Sequence, residues 1–177
     1  MRGHFGRVAD LLTVGRLVAA PVLAVAVAAE QLDLAAGLLV GAWLSDALDG
    51  QAARASGRRT RLGSVDLLAD TAVGAAALVG LTLNDQLPVL PTGALLVVLG
   101  GAFLALRNPA LSMALQAVAY AWLLWTLWDE EEPAVWLPLV TAACLALALH
   151  RRLLGTVIPA FLHGVAGLSR RHERFDL

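Results

Sequence analysis

Six apolar stretches, each long enough to cross a bilayer and set off by a few polar residues, constrain this chain more than any other feature. They run 11–30, 33–54, 64–83, 88–106, 109–128 and 133–150. A helix needs about 20 apolar residues to cross the hydrocarbon core. The pattern therefore predicts an all-α integral membrane protein: six transmembrane helices in one domain over residues 1–177. The breaks are short, for example Glu30-Gln31-Leu32-Asp33, Asn84-Asp85-Gln86 and Arg107-Asn108-Pro109, so successive helices are expected to be antiparallel neighbours. Composition agrees. The chain is 59% apolar and 15% charged, whereas soluble domains are roughly half apolar and a quarter charged. That excludes disorder and argues against a water-soluble domain. Cys144 is the single cysteine, so neither an intrachain disulfide nor a thiolate metal site is available.

Charge supplies a second, independent test. All 13 basic residues are Arg. With six spans and a cytoplasmic N-terminus, every one of them falls in an inner segment or at an inner span end. The outer segments then hold only Glu30, Asp33, Asp85, Asp129, Glu130, Glu131 and Glu132. Cytoplasmic loops are expected to be Arg-rich, so both termini are placed in the cytoplasm and the protein in the inner (cytoplasmic) membrane. An odd number of spans would break the segregation. Residues 1–15 mix Arg2, His4, Arg7 and Asp10 with Phe5, Val8, Leu11 and Leu12. They read as an amphipathic interfacial helix on the inner surface. Residues 154–177 start apolar and end in Arg170-Arg171-His172-Glu173-Arg174, a basic surface helix or tail facing anionic headgroups. A cleavable leader is not expected, because Arg16 and Pro21 interrupt the first stretch. The expected partners are membrane lipids and not nucleic acid.

Four carboxylates sit where an apolar helix should not carry them. Asp46 and Asp49 lie near the end of the second stretch, three residues apart. Asp66 and Asp70 open the third, four apart. Each pair shares one helix face, and a short turn between the helices lets all four converge. An aspartate costs roughly 2.5–3.5 kcal/mol at the bilayer centre, less toward the edge, and clustered anions repel. Arg54 can neutralise one. The others call for a divalent ion, and hard oxygen donors suit Mg²⁺, Mn²⁺ or Ca²⁺ rather than zinc. Mg²⁺ usually takes a couple of carboxylates and completes its shell with water and substrate phosphates. Gly50 and Ala53 continue the stripe of Asp46 and Asp49 without bulk, leaving room for a ligand against the backbone. The bland alternative is that these aspartates cap helix ends or bond loop arginines. Elsewhere, Gly37, Gly41, Gly74, Gly80, Gly100 and Gly101 read as close-packing positions.

Residues 46–70 resemble the signature of the CDP-alcohol phosphatidyltransferases, Asp-x2-Asp-Gly-x2-Ala-Arg-x8-Gly-x3-Asp-x3-Asp. Asp46, Asp49, Gly50, Ala53, Arg54 and Gly63 match in spacing, and Asp66 and Asp70 match each other. The chain departs by one residue: two positions, not three, separate Gly63 from Asp66. One residue of an α-helix is a rotation of about 100°, so the departure bears on Gly63 more than on the aspartates. Thr13-x2-Arg16-x4-Pro21 is similar to the family's entry to its first helix. Asp66-Leu67-Leu68-Ala69-Asp70 is similar to the Asp-Pro-Leu-Ala-Asp of the phosphatidylglycerophosphate and cardiolipin synthase branches, with Leu67 for Pro.

The resemblance implies displacement of CMP from CDP-diacylglycerol by an acceptor hydroxyl, with two divalent metal ions (Mg²⁺ or Mn²⁺), and a homodimer. Carried onto this chain, Asp46, Asp49, Asp66 and Asp70 would hold metal, and Asp70 would act as general base. Gly50, Ala53 and Arg54 would cradle the cytidine diphosphate. A phosphorylated acceptor such as glycerol 3-phosphate needs a cationic pocket, for which Arg107 is the first candidate and Arg58, Arg59 and Arg61 follow. The lysines that serve phosphatidylglycerophosphate synthases are missing, with Ala110 and Ser112 in their place. A phospholipid acceptor such as phosphatidylglycerol, or an uncharged alcohol, therefore stays open, and an inositol phosphate is the other phosphorylated alternative. Two other readings compete: a divalent-cation transporter using intramembrane carboxylates, and a family member without activity. Against transport, the aspartates lie at one membrane edge, and spans four to six offer no acidic path.

Overall fold

The computed structural model describes residues 2–56 and 63–172, which form helices joined by short turns. Side chains are described for 10–49, 51 and 65–168. The main elements are α1 Arg2–Ala28, α2 Leu32–Ser56, α3 Gly63–Leu83, α4 Val89–Leu95, α5 Ala102–Leu106, α6 Pro109–Asp129, α7 Trp136–Ala148, α8 His150–Arg152 and α9 Ile158–His172. A π-helical stretch, Leu96–Gly101, joins α4 to α5, and another, Leu153–Val157, joins α8 to α9. Four helical segments are long and apolar enough to cross a membrane: Asp10–Ala28, Val65–Leu83, Val89–Leu106 and Pro109–Asp129. A fifth arises if Pro133–Ala148 and His150–Leu168, bent by 70°, form one span. These helices mark a multi-pass membrane protein.

Two expectations meet a different arrangement. The interfacial segment and the first span are one uninterrupted helix, α1, with Pro21 inside it. The second stretch is a 25-residue helix, but Asp33, Asp46 and Asp49 dilute its apolar character.

The surface is inverted relative to a soluble protein. Val25, Leu90 and Leu147 are 67%, 86% and 76% exposed, as expected of a lipid-facing exterior, while Arg16, Asp49, Thr71 and Ser112 are buried. The interior is built on α1, α2, α3 and α6, with Ala35, Ala36 and Leu39 of α2 fully buried. Leu23 and Val27 of α1 meet Val73, Leu78 and Leu81 of α3 and Leu115, Leu123 and Leu127 of α6 in one cluster. α1 packs against both α2 and α3, while α2 and α3 touch only sparsely among the described residues. The first helix is therefore wedged between the two that carry the aspartates. Gly80 of α3 permits the approach of α1, since a Cβ there would stand 2.7 Å from the Ala24 carbonyl oxygen; Gly74 does the same for α6, where a Cβ would stand 3.3 Å from the Gln116 backbone.

The turns are tight and follow one plan. Glu30, Asp85 and Glu131 each hold the left-handed conformation, with φ 56°, 55° and 53°. The amide after each bonds back to the carbonyl five residues before it, Gln31 to Ala26, Gln86 to Leu81 and Glu132 to Leu127. This is the Schellman stop, built here on acidic residues at one end of the bundle. At the other end Arg107 (φ 50°) ends α5. Pro109 then opens α6 behind an Asn108 cap, whose side chain accepts from the Ala110 amide at 3.0 Å. The Asn108 amide group also donates to the Gly164 carbonyl of α9 at 3.0 Å.

Candidate functional site

Thr13 and Arg16 of α1, Asp46 and Asp49 of α2, and Asp66 and Asp70 of α3 meet at one end of the bundle. Helical spacing explains the selection. Thr13 and Arg16 share a face of α1, and so do the two aspartate pairs on theirs. Asp66 lies in the first turn of α3, where the unpaired amides favour a carboxylate. The one-residue shortening between Gly63 and Asp66 does not turn either α3 aspartate away, since both reach Arg16.

Arg16 is the hub. One of its terminal nitrogens, Nη2, donates to Asp49 Oδ2 and Asp66 Oδ1; the other, Nη1, donates to Asp70 Oδ1. Asp46 Oδ1 lies 3.6 Å from Nη1. Thr13 Oγ1 donates to Asp66 Oδ1 at 3.4 Å. The guanidinium is 2% exposed, and its Nε is buried without a hydrogen-bond partner. Side-chain exposure rises from 7% at Asp49 through 20% at Asp70 and 34% at Asp66 to 50% at Asp46. The cluster is closed at Asp49 and open at Asp46.

Oxygens of Asp46, Asp49 and Asp66 lie within 4.8 Å of one another. Asp70 stands outside that triad, joined to it through Arg16. With every carboxyl ionised, four anions gather round the Arg16 guanidinium. The donors are hard oxygens, with no thiolate or imidazole in the group, which suits Mg²⁺ or Mn²⁺. The residues present therefore fit a divalent metal.

Behind the cluster a neutral network ties α3 to α6. Thr71 donates to the Leu67 carbonyl at 2.6 Å and shares a 2.6 Å hydrogen bond with Ser112, which also accepts from Gln116 at 2.9 Å. Trp43, one turn before Asp46, meets Tyr120 edge-on at 5.5 Å.

Arg54 was expected to neutralise one of the aspartates, and its side chain lies outside the described ones; among the described residues the cation at the cluster is Arg16. The available signal was a lone arginine inside the first apolar stretch, three residues after Thr13. The side chains of Gly50, Ala53 and Arg54 lie outside the described ones, and Arg58, Arg59 and Arg61 lie outside the described residues. Arg107 is exposed in the turn before α6, at the site's end of the bundle.

The family model described as CDP-alcohol phosphatidyltransferase matches residues 7–157, a stretch that contains all six residues of the cluster. Comparisons with curated proteins and with solved structures gave no match.

Proposed function

The chain belongs to the CDP-alcohol phosphatidyltransferase family, a family of phosphotransferases acting in phospholipid synthesis, and from that premise we propose that it moves a phosphatidyl group from CDP-diacylglycerol to an acceptor alcohol. The single observation that carries the reading is the convergence of Asp46, Asp49, Asp66 and Asp70 on one point. The acceptor oxygen forms a bond to the phosphorus next to the diacylglycerol, the bond from that phosphorus to CMP breaks, and CMP leaves. Asp46, Asp49, Asp66 and Asp70 would hold two divalent ions, Mg²⁺ or Mn²⁺. Such ions supply positive charge against the diphosphate and polarise the attacked phosphorus.

The chain's own residues do the rest. Asp70, set apart from the triad, takes the proton of the acceptor hydroxyl, which is a poor nucleophile until a carboxylate in reach accepts it. Gly50, Ala53 and Arg54 hold the cytidine diphosphate. The open side at Asp46 admits substrate, and the closed side at Asp49 excludes water. Glycerol 3-phosphate is the favoured acceptor, its phosphate met by Arg107, Arg58 and Arg59. The arginine segregation supports six spans, cytoplasmic termini and a site facing the cytoplasm from the inner membrane; the homodimer rests on the family resemblance alone.

Purified protein in micelles with CDP-diacylglycerol, Mg²⁺ and each acceptor in turn tests this. CMP release is expected, and Asp70→Asn should lower it by about 10²–10⁴. Mn²⁺ flux in vesicles without CMP release would point instead to a cation carrier. Neither activity would point to a member without catalysis.

A further inference from the structure

We infer that Arg16 is a built-in competitor of the divalent ions, a tethered cation that must leave the aspartates before metal can enter. The inference rests on the metal reading above and adds a residue and a regulatory property to it. Asp49 Oδ2, Asp66 Oδ1 and Asp70 Oδ1 all accept N–H from Arg16, and Asp46 Oδ1 is 3.6 Å from Nη1. The oxygens that face one another across the cluster are those a metal held there would need. A guanidinium is larger than Mg²⁺ or Mn²⁺, and a monocation beside a dication repels it strongly at low dielectric. The two therefore exclude each other.

Another feature points the same way. Arg16 Nε finds no partner, so the guanidinium is placed by the carboxylates and not by a full set of hydrogen bonds. Arg16 thus acts as a positioning residue: it keeps the repelling carboxylates gathered and sets the metal concentration at which they are released. If the arginine-free arrangement is a minor state of roughly 1–10%, apparent metal affinity is lowered by about ten- to a hundredfold.

Mn²⁺ titration of the full chain in detergent, followed by the electron paramagnetic resonance of free Mn²⁺, tests this without reference to turnover. Arg16→Gln is expected to bind Mn²⁺ about ten- to a hundredfold more tightly than the unmodified chain. Methylguanidinium added to Arg16→Ala should weaken binding again, an effect that a purely structural role would not produce. Should neither variant fold, Arg16→Lys, whose single ammonium cannot bridge three carboxylates, is expected to bind more tightly as well. Equal or weaker Mn²⁺ binding in a folded variant overturns the inference and leaves the metal reading standing. No Mn²⁺ binding in any chain, the unmodified one included, overturns both.

Discussion

Arg16 and Asp49 form the most deeply buried ion pair among the described residues, at 2% and 7% side-chain exposure, and join α1 to α2 across 33 positions of sequence. Removing the cation strands four carboxylates against one another. Breaking a buried pair from one side costs about 3–5 kcal/mol, and Arg16→Gln should lose about that much in chelator-containing detergent, seen as a lower unfolding temperature. Asp46→Asn, at the half-exposed edge of the cluster, should cost much less in unfolding temperature than Arg16→Gln while CMP release falls. A loss in Asp46→Asn as large as that in Arg16→Gln would show that the two ends of the cluster do not differ in this way.

Gly80 permits the approach of α3 to α1. An added methyl would stand 2.7 Å from both the Ala24 carbonyl oxygen and Val27 Cβ. Gly80→Ala should therefore destabilise by about 1–3 kcal/mol. Gly37 has nothing within 4 Å, and Gly37→Ala should gain about 0.5–1 kcal/mol from helix entropy alone. Thermal unfolding of the two variants side by side checks the contrast, and equal effects would disprove the packing assigned to Gly80.

Glu131 stops α6 in a left-handed conformation at φ 53°, which costs a residue with a side chain about 1–2 kcal/mol. It also places an anion beside the helix's negative end. Glu131→Gly escapes the steric cost and adds about 0.5–1 kcal/mol of unfolded-chain entropy. A net gain of roughly 0.5 kcal/mol is expected by the same measurement.

Chelation should stop CMP release, and added Mg²⁺ or Mn²⁺ should restore it. In Asp49→Ala the restoring concentration should rise at least tenfold, on the scale of about 10–100-fold seen when support for a metal ligand is lost. Full activity in excess chelator would remove the metal from the reaction.

Much of this protein was legible without coordinates. The period of apolar residues and the lengths of the polar breaks announce membrane helices, because the bilayer thickness is a fixed ruler. Four carboxylates in apolar helices announce a charged site, because burying them alone is too costly to be incidental. The signature spacing from Asp46 to Asp70 pointed to the family that the match over residues 7–157 then showed.

The partner that gathers the carboxylates was not legible. Asp46, Asp49, Asp66 and Asp70 sit on adjacent helices, and sequence proximity suggested that those two helices pack directly. Instead α1 comes between them and carries Arg16 into the centre. Periodicity determines which residues share a face of one helix. Which helix that face meets depends on shape at distant contacts, here Gly80 against Ala24 and Gly74 against Gln116. Local pattern thus determined the donors and their faces, while tertiary packing alone decided which cation they surround.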